Sequence, residues 1–74
     1  MKIQLNGQSK EVANDTTVAL LLESLELSGK RVAVEINEEL VTRSAFESHK
    51  LQADDQVEIV QAIGGGWRAF AAGK

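Results

Sequence analysis

The stretch "MKIQLNGQSKEVANDTTVALLLESLEL" (Met1 to Leu27) changes its apolar period part-way along, and the change decides the fold. Met1, Ile3 and Leu5 alternate with Lys2 and Gln4, the two-residue period of a half-buried strand. Asn6-Gly7 follows; both residues tolerate positive φ, which a tight hairpin turn needs. A return strand through Val12 and Ala13 then pairs antiparallel with the first. Asn14 to Thr17 is a polar cluster suited to starting a helix, with Asp15 or Thr16 as N-cap. Beyond it Val18, Leu21, Leu22 and Leu25 fall at i, i+3, i+4 and i+7, a stripe that faces a core. The spacing predicts one main helix over Thr17 to Leu27, closed by Ser28-Gly29 with the glycine in a left-handed C′ position. A leucine stripe of this kind is packing, and no cofactor box is read there.

Downstream, "RVAVEINEELVTR" (Arg31 to Arg43) holds a strand with Val32, Val34 and Ile36 on one face. Asn37-Glu38 turns the chain into a short strand over Glu39 to Thr42. "SAFESHKL" predicts a helical turn that sets Phe46 and Leu51 against the core, and "ADD" (Ala53 to Asp55) is a turn cluster. "QVEIVQAI" (Gln56 to Ile63) is the last strand, with Val57 and Ile59 on one face. The order is hairpin, helix, strand, short strand, turn, strand. Such an order places one helix on one face of a mixed sheet. The first and last strands, both apolar, form its central parallel pair. The expected class is α+β, a β-grasp or ubiquitin-like roll over residues 1–63.

Composition narrows the function. A chain of 74 residues makes one domain with a modest core. It has no cysteine, so disulfides and thiolate-held metals are excluded, and no side-chain thiol can hold sulfur. A net charge of −3, with basic residues scattered except for Lys30-Arg31, argues against nucleic acid as a partner. No run approaches the roughly 18 apolar residues of a membrane span, and the start alternates instead of forming a secretory core. The expectation is a cytoplasmic protein, free of membrane and monomeric when unbound.

Catalytic candidates are few. His49, the only histidine, lies in the polar stretch "ESHK" and reads as a surface residue. Glu38-Glu39 and Asp54-Asp55 read as turn residues. The triple glycine Gly64 to Gly66 is no phosphate loop, because no Lys-Ser/Thr follows it. It is nevertheless the most distinctive feature. A glycine tail leaving the last strand can thread a narrow channel in another protein and present an acyl carbon with no Cβ beside it. A carboxylate there would need activation first, for example as an acyl-adenylate made from ATP by a partner enzyme. The plainer reading is a flexible linker leading to an unstructured end.

"MKIQLNGQSKEV", "VAVEINEELVTRSAF" and "LQADDQVEIVQAIGGG" together resemble the family of the sulfur carrier protein of thiamine biosynthesis, ThiS, over residues 1–66. The resemblance implies a β-grasp protein that is a co-substrate, not an enzyme. Gly65 and Gly66 match the family's terminal diglycine, and Gly64 matches a position that is often glycine. Gly66 is then the adenylate and thiocarboxylate acceptor, and Gly64 and Gly65 give the tail its access. The implied partners are an E1-like adenylating enzyme of the ThiF type and a thiazole synthase of the ThiG type. ATP is the adenylating enzyme's substrate, and the carrier itself binds no cofactor or metal. Two alternatives share the fold: a molybdopterin synthase small-subunit type of carrier, and a ubiquitin-like binding module that is never activated.

The departure is Trp67 to Lys74. While Gly66 is amide-bonded to Trp67 it has no carboxylate to activate. Residues 64–66 are expected to form a flexible tail, and residues 67–74 a disordered or removable extension, whether cut away, added in making the chain, or the mark of a non-working copy.

Overall fold

A computed structural model describes residues 1–70. The strands are β1 (Lys2–Leu5), β2 (Gln8–Glu11), β3 (Val32–Ile36), β4 (Glu39–Val41), β5 (Gln56–Ile63) and β6 (Gly66–Ala69), with one α-helix, α1 (Val18–Ser24), and a short 3-10 helix (Arg43–Ala45) among the described residues. The sheet runs β2-β1-β5-β3-β4, and β6 pairs with β5. β1 and β5 are the parallel central pair, with Leu5 opposite Val57. α1 lies on one face of a mixed sheet, so the chain has the expected α+β, β-grasp architecture.

The alternation along each strand sorts its side chains. Ile3, Leu5, Val32, Val34, Ile36, Val57 and Ile59 are buried and form one core with Val18, Leu21, Leu22, Leu27, Val41 and Leu51. Leu51 joins the core as expected, while Phe46 and Leu25 pack at its margin. Glu35 and Glu58, opposite each other on β3 and β5, lie on the uncovered face and are exposed.

α1 is shorter than the leucine spacing predicts. Its N-cap is Thr17, whose side chain accepts the Leu20 N–H at 3.1 Å. Asp15 and Thr16 are not caps, because Asp15 has a φ of 66° and the Thr16 hydroxyl donates to the Ala13 carbonyl at 2.6 Å. At the other end Gly29 is left-handed as expected, at 78°, but the C′ position of α1 falls three residues earlier, on Glu26 with a φ of 62°. The Glu26 N–H bonds the Glu23 carbonyl at 3.0 Å and the Leu27 N–H reaches back to Leu22 at 2.8 Å. That pair of bonds is a Schellman motif. It turns Leu27 into the core, at 4% exposure, and burial of that leucine outweighs the strain of a left-handed glutamate. β2 also stops at Glu11, short of Val12 and Ala13.

The segment after β4 satisfies the start of the helix. The Val18 and Ala19 N–H groups donate to the carbonyls of His49 at 3.0 Å and Phe46 at 2.9 Å. These are donors that no helix can satisfy internally. His49 thus serves the fold through its backbone.

Asp55 joins the β3–β4 turn to β5. It is 8% exposed, and its carboxylate accepts the Gln52 N–H at 2.8 Å and Asn37 Nδ2 at 3.0 Å. Asp55→Ala strands these donors, and the domain is expected to lose about 1.5–3 kcal/mol in a urea titration. An unchanged midpoint would show that water replaces the carboxylate at no cost. The glutamate pair Glu38-Glu39 is exposed at the same turn. Glu39, His49 and Asp55 line one cleft, where the Asp55 carboxylate is taken up by Asn37 and Gln52 and Glu39 is exposed.

Candidate functional site

Two-residue turns link three strand pairs. Asn6-Gly7, with φ of 49° and 82°, joins Leu5 to Gln8. Asn37-Glu38, at 52° and 70°, joins Ile36 to Glu39. Gly64-Gly65, at 56° and 93°, joins Ile63 to Gly66. Two successive left-handed residues are the mark of a type I′ turn, whose twist matches that of the flanking strands. The chain therefore does not leave the sheet as a free tail at Gly64. It reverses and lays Gly66–Ala69 back along β5. Residues 71–74 of the extension lie outside the described residues.

The register fixes the bonding of this hairpin. The Phe70 N–H donates to the Ile59 carbonyl at 3.0 Å, so Ile59 faces Phe70 as a hydrogen-bonded position. Antiparallel ladders alternate, which makes Gln61–Arg68 and Ile63–Gly66 the other bonded pairs. Ala62–Trp67 and Val60–Ala69 are then the unbonded pairs, with side chains on the uncovered face. Trp67 is 56% exposed there. A cavity of about 290 Å³ beside the turn is lined by Arg31, Ala62, the three glycines and Trp67, so the turn is open to approach from outside.

β1 covers only the first part of β5, at Gln56 and Val57. β6 takes over that edge from Val60 onward. Asn6 stands at the junction. Its Oδ1 accepts the Ile59 N–H at 2.8 Å, and its Nδ2 donates to the carbonyls of Ile59 at 3.0 Å and Phe70 at 2.6 Å. Phe70 is half-buried against the core. Sequence reasoning placed Asn6 in its turn but gave no sign of this second use of its side chain.

The three glycines are not equivalent. Gly64 and Gly65 hold backbone angles that L side chains rarely adopt, although a Cβ would meet nothing within 4 Å at either. Gly66 has no left-handed φ, and a Cβ there also meets nothing within 4 Å. The fold thus explains glycine at 64 and 65 and has no use for it at 66. Chemically, Gly66 is an acyl group held as an amide to Trp67.

A sequence model of the ThiS family matches residues 3–66. The chain belongs to the ThiS family. Its similarity to the "Sulfur carrier protein ThiS" of Escherichia coli is 36% identity over 66 residues, 89% of this chain and 100% of that protein. The crystal structure of the thiamine biosynthesis protein ThiS from Geobacter metallireducens matches with a TM-score of 0.76 at 33% identity, covering 89% of this chain and 100% of that one. A "Thiazole synthase" of Magnetococcus marinus is 44% identical over 66 residues, but the match spans only 20% of that protein's length. The ThiS-family match ends at Gly66, so Trp67 and the residues after it fall outside the family pattern.

Proposed function

We propose that this chain is a sulfur carrier for thiamine biosynthesis whose reactive end is the carboxyl group of Gly66. The observation that carries the reading is the glycine at 66. It sits where the ThiS-family match ends, in open space and without the backbone angles that would require it. A glycine the fold does not need is explained by chemistry done on it.

In that chemistry a Gly66 carboxylate oxygen attacks the α-phosphorus of ATP on an E1-like enzyme of the ThiF type and pyrophosphate leaves. Hydrosulfide then attacks the acyl carbon, forms the C–S bond, expels AMP and loses its proton, and the resulting thiocarboxylate gives its sulfur to a thiazole synthase of the ThiG type. The carrier supplies the acyl group and the surface that presents it. ATP and every catalytic side chain belong to the partners, and the carrier is a co-substrate. Similarity to a Geobacter metallireducens protein named for thiamine biosynthesis favours this pathway over the molybdopterin branch. The working form ends at Gly66, because an amide to Trp67 leaves no oxygen to be adenylated.

Gly66→Ala separates this role from a structural one. In the full chain the methyl meets open space at a strand position, so stability should hold or rise by up to about 1 kcal/mol. In a chain ending at residue 66 the same change crowds the acyl carbon, so thiocarboxylate formation followed by mass spectrometry should slow. Equal rates for glycine and alanine, with both chains folded, would remove Gly66 from the reaction.

A further inference from the structure

Resting on the sulfur-carrier reading, we infer that the Gly66–Trp67 peptide bond is a hydrolytic maturation site, kept closed by β6 and by the clasp between Asn6 and Phe70. The reaction is the addition of water to the Gly66 carbonyl carbon. The C–N bond to Trp67 breaks, the leaving nitrogen takes a proton, and Gly66 keeps the carboxylate. The co-reactants are water and an endopeptidase that accepts glycine at the positions before the cut.

The geometry shows why the bond is closed as it stands. Endopeptidases bind their substrates extended and unpaired, so they cut a folded chain through its locally opened form. Here Gly66 is the first residue of β6, paired with Ile63 across a two-residue turn. A turn this tight cannot enter a protease cleft until β6 has separated from β5. Separation must first undo the far end of β6, where the chain is tied twice. The Phe70 N–H bonds Ile59, and the Phe70 carbonyl accepts Asn6 Nδ2 at 2.6 Å. The Phe70 side chain adds contact with the core.

Within β6 itself little resists opening. Gly66, Trp67, Arg68 and Ala69 are all exposed, and Trp67 stands opposite the small side chain of Ala62. Asn6 belongs to the hairpin at the start of the chain, so the clasp joins the site to the intact fold. Only a folded domain presents the closed form. Once β6 is released, the glycines lose the partner strand that held them in a turn. They are then free to extend into a partner's active site.

Two measurements on the full chain test the inference. The first is amide hydrogen exchange at Ile63 and Arg68, bonded positions of the hairpin, with Leu21 and Val34 as core references. Asn6→Gly keeps a residue that tolerates the φ of 49° while removing the clasp, and Phe70→Ala removes the core contact without touching the β1–β5 junction. Either change should speed exchange at Ile63 and Arg68 by at least about tenfold and leave the references unaltered. The second is the mass of the chain isolated from cells that make it and synthesise thiamine, which should end at Gly66. Unchanged exchange in both variants overturns the clasp. A chain recovered from those cells with the Gly66–Trp67 bond intact overturns the maturation site. The carrier reading is judged separately, with a chain made to end at Gly66, which needs no cut.

Discussion

Leu21→Ala is expected to remove most of the stability of this domain, whereas Leu20→Ala, one residue earlier, is expected to leave it within about 0.5 kcal/mol of the parent. Leu21 is 1% exposed and Leu20 is 52% exposed. α1 supplies Val18, Leu21 and Leu22 as its buried residues, three of the thirteen side chains of the single core. Truncating a buried leucine costs the transfer free energy of the lost methyl groups and a cavity term, about 2–5 kcal/mol together. A domain near 70 residues holds only about 5 kcal/mol in total. Thermal melts of the two variants check the assignment. Equal shifts for Leu20 and Leu21 would mean that α1 does not present the face described.

The period switch in residues 1–27 carried most of the fold, because strand and helix bury side chains at different spacings and each spacing was clean. Val57 and Ile59, buried on the central strand, followed from simple alternation. The helix ends were harder to read. The sequence reading places the N-cap at Asp15 or Thr16, and the structure moves it to Thr17, because Asp15 is left-handed and the Thr16 hydroxyl is turned to the Ala13 carbonyl. At the C-terminal end Gly29 is the better left-handed residue by intrinsic preference, yet Leu27 has to reach the core, and Glu26 bears the strain.

The glycines were misread in shape. Gly-Gly between an apolar strand and a following segment is also a hairpin signal of the same kind as Asn6-Gly7. "GWRA" lacks the alternation that announces a strand, because all of its residues are exposed and its place is set by backbone pairing with β5. Nothing in a one-dimensional pattern marks the side chain of Asn6 as the tie between Ile59 and Phe70, residues more than fifty positions away. The proposal that Gly66 is the reactive position rests on resemblance. The structure adds that neither backbone angle nor crowding requires glycine there.

The central claim is that Gly66 is the acyl end of a sulfur carrier, and pyrophosphate release tests it most directly. The chain ending at Gly66 and the full chain, its Gly66–Trp67 bond verified intact by mass, are each incubated with a cognate adenylating enzyme and ATP. Both share residues 1–66, and hence β1 to β5 and the helix, while the full chain adds β6 and the Asn6–Phe70 clasp. The full chain carrying Asn6→Gly, whose clasp is undone, is run beside them so that a blocked carboxyl group is told apart from a closed turn. Adenylation needs a free carboxylate oxygen, and in the full chain that position is an amide nitrogen bonded to Trp67. The expected effect is therefore close to all-or-none. The account predicts release of one pyrophosphate per chain ending at Gly66 and none above background from the full chain. Equal release from both would contradict it, and would mean that Gly66 is not the acceptor.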